Sequence, residues 1–281
     1  MDKQEQAEFL IEAMPYIKKY FNKVLVVKYG GNAMTDDKLK FSVMRDLVVL
    51  NLLGIKVVLV HGGGPEISET LKKMGKETKF IDGLRYTDKE TAEIVRMVLA
   101  GKVNKSLTDL IEVNGGKAVG ISGEDGHIIK CEKQDEKLGY VGKITEVKTD
   151  LITDLLSLGY VPVISTIGYD DEGNVYNVNA DTAAAAIAGA LSAENLILMT
   201  DIAGLLENKD DPSSLIKKVY VSDIPAYVKQ GIISGGMIPK IECCKEAIRR
   251  GVKKAVIIDG RVCHSILIEI LSDEGSGTMF I

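Results

Sequence analysis

Short apolar runs alternate with longer stretches of helical periodicity along most of this chain, and that alternation restricts the folds open to it. Six runs predict buried strands, at residues 25–27, 57–60, 118–121, 161–164, 196–199 and 255–258. Helical patterns lie between most of them, at 36–53, 65–74, 89–113, 150–158, 181–191 and 236–250. This pattern indicates an α/β fold, a three-layer αβα sandwich in which helices cover both faces of a mainly parallel sheet.

Length, charge and hydropathy narrow the functional classes. The 281 residues allow one large or two modest domains. A net charge of −5 argues against a nucleic-acid partner. No apolar run approaches the length of a membrane span, and residues 1–6 lack the segments of a signal peptide, so we expect a cytoplasmic protein with no membrane contact.

The metal-ligating residue types form no recognisable pattern. None of the four cysteines belongs to a Cys-x-x-Cys pair, and the chain has three histidines. We therefore expect reduced thiols and no metal ion held by protein side chains. The cysteines are Cys131, Cys243, Cys244 and Cys263.

Two segments depart from the alternation. Residues 169–176 predict a hairpin that turns at 172–174 and places Asn177 and Asn179 on its returning strand. The other departure is an amphipathic helix before the first strand, which Pro15 is expected to kink or break. Its apolar face either packs on its own subunit or forms a subunit interface. That face consists of Phe9, Leu10, Ala13, Met14, Ile17 and Phe21.

Glycine loops follow the first two predicted strands, and two lysines, Lys28 and Lys240, lie at a strand end and a helix start. Lys28 ends an apolar strand, so its ammonium points to the edge of the sheet where ligands bind. Lys240 falls in the first turns of a helix, where the dipole alone would favour an acid, so an anionic ligand explains it better. Glycines in such loops let backbone N–H groups approach an anion.

Familiar nucleotide motifs are missing. None of the four Gly-Lys pairs is followed by Ser or Thr, which excludes a Walker A loop. The run 62–67 carries Ile67 where the dinucleotide fingerprint needs a small residue, which disfavours a dehydrogenase. The protein-kinase signatures are absent as well. Asn177, Asn179 and Asp181 lie at the start of an alanine-rich helix, either as a simple helix cap or as part of a site.

Five motifs taken together resemble the amino acid kinase family, and within it the N-acetylglutamate kinase branch. They are Lys28-Tyr29-Gly30-Gly31, His61-Gly62-Gly63-Gly64-Pro65, Gly83-Leu84-Arg85-Tyr86-Thr87, Asn177-Val178-Asn179-Ala180-Asp181 and Gly235-Gly236-Met237-Ile238-Pro239-Lys240. The first two are shared loosely with aspartokinases, glutamate 5-kinases, carbamate kinases and uridylate kinases. The third and fourth narrow the resemblance, which runs from the first strand to residues 277–279.

The resemblance implies transfer of the ATP γ-phosphoryl group to the side-chain carboxylate of N-acetyl-L-glutamate on the arginine pathway. Mg²⁺ would bind mainly through phosphates and water. Lys28 and Lys240 would stabilise the phosphoryl groups and Asp181 would orient both lysines. The remaining contacts are implied as phosphoryl-binding Gly30, Gly31 and Gly63, substrate-binding Gly63, Gly64, Arg85, Asn177 and Asn179, and nucleotide-binding Asp201, Ile202, Ala203, Gly204, Leu205, Ile232, Ile233 and Ser234.

The two ends of the chain resemble the arginine-inhibited, hexameric members of this branch. The resemblance implies an N-terminal helix over 1–22 for assembly, a lobe over 23–170 for acylglutamate binding and dimerisation, and a lobe over 171–281 for ATP and arginine. It implies a trimer of dimers, with arginine contacts from Tyr16, His264, Glu269 and Gly275. The sequence does not decide whether a nitrogen-signalling protein binds this chain.

Two other functions stay open. Another amino acid kinase, such as a glutamate 5-kinase, would phosphorylate free glutamate. A non-catalytic arginine-sensing subunit would keep the fold without the chemistry, but Lys28, Lys240 and Asp181 are all present.

Overall fold

The computed structural model describes residues 3–34, 36–208 and 210–281. A π-helical turn, Met97–Val103, joins the fourth and fifth helices. The α-helices are α1 Lys3–Tyr20, α2 Asp37–Leu52, α3 Gly64–Lys73, α4 Lys89–Arg96, α5 Asn104–Val113, α6 Asp150–Ser157, α7 Ala180–Ala190, α8 Ile224–Lys229, α9 Met237–Arg249 and α10 Ser265–Leu271. The strands are β1 Val24–Tyr29, β2 Lys56–His61, β3 Phe80–Ile81, β4 Leu84–Arg85, β5 Ala118–Ser122, β6 Ile129–Lys133, β7 Gly142–Val147, β8 Val161–Ser165, β9 Ile167–Tyr169, β10 Val175–Asn177, β11 Asn195–Thr200, β12 Lys218–Val219, β13 Lys254–Asp259 and β14 Thr278–Phe280.

The central sheet has eight strands in the order β12-β14-β13-β11-β1-β2-β8-β5. Neighbours run parallel except β13 and β14, so the predicted mainly parallel sheet is confirmed. The earlier strands β2, β5 and β8 lie on one side of β1, and the later strands β11 to β14 lie on the other. The strand order therefore reverses at β1, and a ligand crevice is expected at the carboxyl end of that strand.

Alternate residues of the sheet point to two separate apolar cores. Val27 and Leu59 pack with α2, α3 and α5 on one face, whereas Val26 and Val58 pack with α6, α7 and α9 on the other. Because both faces are covered, the strands are apolar along their whole length. The three-layer αβα sandwich predicted from the sequence is confirmed.

A second, four-stranded sheet in the order β10-β9-β6-β7 lies beyond the carboxyl edge of β8. Its β9–β10 pair is antiparallel, as the hairpin prediction required. The prediction was wrong for Asn179, because β10 ends at Asn177. Asn179 instead caps α7, where its Oδ1 accepts hydrogen bonds from the N–H groups of Asp181 and Thr182 at 3.0 and 3.1 Å.

Two predicted helices differ in detail. The stretch predicted as one helix over 89–113 is interrupted by the π-helical turn. The prediction did not include this turn, because helical periodicity alone does not reveal an inserted residue. Helix α1 continues through Pro15 without a break, and a bend there stays a prediction. In the ranges given above, no helix is both long and apolar enough to cross a bilayer.

Candidate active site

Three charged side chains meet at the carboxyl edge of the central sheet. The Nζ of Lys28 lies 2.8 Å from Oδ1 of Asp181, and the Nζ of Lys240 lies 3.1 Å from Oδ2 of the same carboxylate. The side chains of Lys28 and Asp181 are 9% and 13% exposed, so water screens their ion pair only weakly. One carboxylate therefore holds two ammonium groups that the sequence places far apart.

The fold explains this meeting. Lys28 is the penultimate residue of β1, the strand at which the sheet order reverses. Asp181 is the second residue of α7, and Lys240 is the fourth residue of α9. Helices α7 and α9 pack against each other over the same face of the sheet. Since Asn179 satisfies the first N–H groups of α7, the carboxylate of Asp181 is left to hold the lysines.

Electrostatics keep Asp181 ionised. Burial raises the pKa of this carboxyl, but the charges and hydrogen bonds of Lys28 and Lys240 outweigh burial and leave the pKa below its usual value. The two lysines and the carboxylate carry one net positive charge. The cluster is therefore electrostatically incomplete without an anion.

Glycine loops border this cluster. A Cβ on Gly30 would lie 3.2 Å from the Lys28 ammonium, so a side chain there would crowd the cation. Gly31 has φ +74, a conformation that glycine adopts without strain. Gly63 has φ 175, which any residue can adopt, but a Cβ there would lie 2.7 Å from Leu99 of the π-helical turn. Packing, and not backbone conformation, requires glycine at position 63.

A cleft of about 190 Å³ opens beside the glycine loop at residues 62–64. Its walls bring together Gly63, Gly64, Arg85, Asn177 and Asn179, which the sequence grouped as substrate contacts. The grouping in space agrees with that expectation, while the roles of the side chains stay predictions.

Arg85 is 8% exposed and has no carboxylate within ion-pair distance in the described ranges. Its NH2 donates hydrogen bonds to Gly64 O and Ser68 Oγ at 3.0 and 2.9 Å, and its NH1 donates to Thr78 Oγ1 at 3.3 Å. The guanidinium also lies over the ring of Phe80. Burial lowers the pKa of Arg85, but a guanidinium keeps its charge at any physiological pH. A buried cation without an acidic partner favours an anionic ligand.

The predicted nucleotide contacts form two segments in the later part of the chain, one after β11 and one before α9. Residues 201–205 follow β11, and their end is anchored where the Leu205 N–H donates to Thr278 Oγ1 at 2.8 Å. Residues 232–234 precede α9, and the N–H groups of Ile232 and Ile233 both donate to Tyr227 O. Both segments lie in the half of the chain that supplies Lys240, and their nucleotide role stays a prediction.

A second cleft, of about 140 Å³, lies between α1 and the C-terminal segment. Tyr16, Glu269 and Gly275, three of the predicted arginine contacts, line it. Glu269 is 8% exposed, and its Oε2 accepts a hydrogen bond from the Ser276 N–H at 2.8 Å, so it is not an ordinary surface charge. Burial raises the pKa of Glu269.

The structure does not bring His264 into that cleft. Its Nδ1 lies 2.6 Å from Oδ1 of the buried Asp46 on α2, and it sits at the N-terminal end of α10 with φ 60. His264 therefore ties the start of α10 to α2 and does not line the cleft that contains Glu269.

Sequence reasoning overlooked the support beneath the glycine loops. His61 was seen as part of a motif, but its buried contact with Asn104 joins residues far apart in the chain. Ser68 was not singled out, yet its Oγ accepts a hydrogen bond from Arg85. Thr87 was seen only as the last residue of a motif, and its Oγ1 accepts a hydrogen bond from Asn177 Nδ2 at 3.2 Å. The available signals were the two motifs that contain His61 and Thr87, since Ser68 and Asn104 are common residue types in ordinary helical contexts.

The fold and the site together define a class of protein. An open αβα sandwich that gathers cations and glycine loops at its strand-order reversal, without a Walker A loop, suits phosphoryl transfer by side-chain charges. Residues 23–259 match the amino acid kinase family. The chain belongs to this family and is a kinase.

Individual proteins that are similar to this chain are consistent with this family assignment. The acetylglutamate kinase of Brachyspira hyodysenteriae is 55% identical over 279 residues, which cover 99% of this chain and 97% of that one. The N-acetylglutamate synthase of Neisseria gonorrhoeae, solved with coenzyme A and N-acetyl-glutamate, matches with a TM-score of 0.84 and 22% identity over 98% of this chain and 63% of that one. The same synthase solved with coenzyme A and L-arginine gives a TM-score of 0.80 and 21% identity over 98% of this chain and 65% of that one. The likeness to the synthase shows the fold alone.

Proposed function

We propose that this kinase transfers the γ-phosphoryl group of ATP to the side-chain carboxylate of N-acetyl-L-glutamate, in the biosynthesis of arginine. The observation that carries the proposal is the pairing of Lys28 and Lys240 through Asp181, next to a cleft in which the buried Arg85 lacks an acidic partner. The name of the Brachyspira relative, which matches over nearly the whole chain, supports the substrate.

In this reaction a bond forms between a carboxylate oxygen and the γ-phosphorus, and the bond from that phosphorus to the β,γ-bridging oxygen breaks. Both reactants are anions, so the protein must offset their repulsion and stabilise a loose, in-line transition state. Lys28 stabilises the transferred group, and Lys240 stabilises the leaving nucleotide. Asp181 keeps both ammonium groups in place. A carboxylate nucleophile carries no proton to remove, so no general base is needed.

Substrate recognition follows from the cleft. The planar guanidinium of Arg85 suits two-point binding of the α-carboxylate. Its NH2 donates to Gly64 O and Ser68 Oγ, which fix the plane of the guanidinium, so two-point binding of the carboxylate would replace one of these two hydrogen bonds. Asn177 and Asn179 supply polar contacts to the rest of the acylglutamate, while Gly31, Gly63 and Gly64 supply N–H groups.

Magnesium is proposed to arrive with the nucleotide. Within the described ranges, no three His, Cys, Asp or Glu side chains gather as a metal site. The carboxylate of Asp181 is also committed to two lysines. The residues present therefore fit an ion held by phosphate oxygens and water, with residues 201–205 and 232–234 holding the nucleotide.

An assay of ADP release separates this function from its alternatives. With MgATP, we expect turnover with N-acetyl-L-glutamate and little with free L-glutamate. Preference for free glutamate would indicate a glutamate 5-kinase. No turnover with any carboxylate acceptor, while MgATP still binds, would indicate a non-catalytic subunit.

We further propose that the cleft between α1 and the C-terminal segment binds L-arginine as a feedback inhibitor. Glu269, Asp273 and Glu274 line this cleft and offer carboxylates to a guanidinium. A hydrogen bond to Asp273 raises the pKa of Tyr16, so the two side chains already form one polar wall. The related synthase solved with L-arginine supports the same ligand on this fold.

We also propose a hexamer built as a trimer of dimers, in which α1 links dimers that form through the N-terminal lobes. Leu10, Ile11 and Met14 on α1 are 65%, 68% and 60% exposed in the single chain. Ala13 and Tyr20 on the same helix are buried against the body of the protein. One face of α1 is thus covered, and a second, apolar face is available for another subunit.

Arginine titration of the ADP-release assay tests the inhibitor site. Glu269→Gln keeps the shape of the side chain and removes its charge, so we expect it to weaken inhibition at least about tenfold, the usual scale for losing a charged partner. Lys218→Ala, at the exposed residue of strand β12, is a control that should leave inhibition unchanged. Unaltered inhibition in the Gln variant would place arginine elsewhere.

A cytoplasmic location of the enzyme stays a prediction.

A further inference from the structure

The imidazole of His61 lies directly beneath the glycine loop and is completely buried. His61 is the last residue of β2, and its Nδ1 lies 2.8 Å from the carbonyl oxygen of Gly62. Its Nε2 lies 3.0 Å from Nδ2 of Asn104, the first residue of α5. No role has been given so far to either side chain.

The surroundings of Asn104 fix the tautomer of His61. Nδ2 of Asn104 also lies 3.1 Å from Ile121 O and 2.8 Å from Val163 O, which are acceptors only. This end of the amide must therefore be the NH₂ group. Nε2 of His61 then accepts a share of one of the two amide hydrogens, and Nδ1 carries the proton and donates it to Gly62 O, which can only accept. Burial lowers the pKa of His61 to about 4, so the imidazole is neutral at physiological pH.

This hydrogen bond fixes the plane of the peptide between Gly62 and Gly63. The described chain contains no cis peptide bonds, and in a trans peptide the oxygen and the amide hydrogen point to opposite sides. Because Gly62 O faces the imidazole, the Gly63 N–H must face away from it. That N–H meets no protein acceptor in the described part of the chain, and Gly63 lines the candidate substrate cleft.

We propose that His61, held by Asn104, is a positioning residue that keeps the Gly63 N–H aimed at the phosphoryl group during transfer. The inference rests on the proposed function for the identity of the anion. Without the His61 hydrogen bond, two adjacent glycines let the peptide rotate, since neither has a side chain to resist it. The Gly62 carbonyl would then point at the phosphoryl group and repel it.

The π-helical turn completes the arrangement. Leu99 and Val103 of this turn pack where a Gly63 side chain would be, with Leu99 Cδ2 and Val103 Cγ2 at 2.7 and 3.2 Å from a Cβ built on Gly63. The turn also ends at the residue before Asn104. One local irregularity thus covers the glycine loop and delivers the amide that holds His61, a placement typical of π-helical turns at functional sites.

Two substitutions at position 61 separate the two hydrogen bonds. In His61→Asn, the amide nitrogen can occupy the position of Nδ1 and donate to Gly62 O. In His61→Gln, the amide reaches the position of Nε2 and keeps the contact with Asn104, but leaves Gly62 O without a donor. Thr108→Val is the matched control, because the buried Thr108 Oγ1 donates to Asn104 O and touches neither His61 nor the loop.

We expect His61→Gln to lower kcat by about tenfold to a hundredfold, up to the scale of losing one oriented N–H donor. KM for ATP and for the acceptor should change by less than about twofold. Inhibition by MgADP with aluminium fluoride, which mimics the transferring phosphoryl group, should weaken by the same factor as kcat, while ADP alone binds normally. His61→Asn should retain most of the activity, and Thr108→Val all of it.

Equal kcat values for the Asn and Gln variants would overturn the proposal, as would a loss of ADP affinity equal to the loss for the mimic. If the Gln variant does not fold, a crystal structure of the wild type with the mimic decides instead. Gly62 O turned towards the fluoride would contradict the inference. The proposed function is judged separately, because the ratio between variants is measured with whichever carboxylate acceptor the wild type phosphorylates.

Discussion

At the scale of single residues, the ion pairs around Asp181 predict the effect of removing either lysine. Lys28→Ala and Lys240→Ala should each lower kcat by about a hundredfold or more, because each removes one charge that stabilises the transition state. Lys245→Ala on the same helix as Lys240, where Lys245 pairs with Glu242, is the control and should keep full activity. Steady-state kinetics on folded variants provide the measurement. A near-normal kcat for either alanine variant would remove that lysine from the mechanism.

Substitutions of Asp181 and of Arg85 should change different kinetic constants. Asp181→Asn leaves the helix cap at Asn179 untouched but releases both lysines, so turnover should fall more than substrate affinity. Arg85→Lys should instead raise KM for the acylglutamate, because an ammonium cannot replace a two-point guanidinium. Separate determination of kcat and KM tests this division. The opposite pattern would mean that the two roles are assigned the wrong way round.

His61 gives a prediction about pH and stability. Its pKa is lowered to about 4 in the folded protein by burial, against 6.5 in the unfolded chain. Between these values the unfolded state binds the proton and the folded state does not, so the free energy of unfolding falls as the pH falls. From pH 7 to pH 5 this group should remove roughly 2 kcal/mol.

Urea denaturation at both pH values, for the wild type and for His61→Asn, isolates this contribution. The asparagine variant has no titrating group at this position, so its stability should fall less over the same interval. Identical pH dependence in the two proteins would show that folding does not lower the pKa of His61.

At the scale of elements, the contact between the π-helical turn and the glycine loop predicts coupled substitutions. Gly63→Ala should lower activity and stability because its Cβ would meet Leu99. In Gly63→Ala with Leu99→Ala, the smaller side chain makes room, so the double variant should be more stable than the sum of the single effects by about 1 kcal/mol. Gly101→Ala in the same turn meets nothing within 4 Å and should be nearly neutral. Strict additivity would show that the loop is free to move away from the turn.

The elements also show what a sequence can predict. Six of the eight strands of the central sheet were predicted, because buried parallel strands are continuous apolar runs, as in β1 and β11; the short edge strands β12 and β14 were not. Strands β6 and β7 were missed because charged side chains interrupt them. The π-helical turn was missed because helical periodicity averages over one extra residue.

The same division holds for the site. Residues carried on motifs at strand and helix ends line one cleft, since topology brings such ends to one edge, while their roles stay predictions. His61 with Asn104 could not be paired in advance, because their contact depends on how α5 crosses the sheet. His264 was expected near Glu269, but its left-handed backbone and its bond to Asp46 direct it to α2.

At the scale of the whole molecule, α1 predicts how assembly and inhibition are linked. Deleting residues 1–22 should yield active dimers that arginine no longer inhibits, because the deletion removes both the exposed apolar face and Tyr16 of the second cleft. Light scattering and the ADP-release assay measure the two effects. A truncated hexamer, or a dimer inhibited at the same arginine concentration, would refute this prediction.

A variant that keeps the whole helix separates the role of α1 in assembly from its role in arginine binding. Replacing Leu10, Ile11 and Met14 with lysine removes the apolar face but keeps Tyr16, and also keeps Tyr20, whose hydroxyl accepts a hydrogen bond from Lys254 Nζ at 2.7 Å. We expect dimers that still bind arginine in calorimetry. Loss of arginine binding in these dimers would mean that a second subunit completes the site.

The central position of β1 also affects how the chain is made. β1 is the first strand to leave the ribosome, yet Lys28 pairs with Leu198 on one side and with Val60 on the other. During synthesis, β2 covers one edge of β1 early, while the other edge waits for β11, on the order of ten seconds later at ordinary rates of translation. Throughout that interval the nascent chain carries an apolar strand with an open edge, the kind of surface that aggregates. The strand that carries Lys28 therefore leaves an aggregation-prone edge on the nascent chain until β11 has been made.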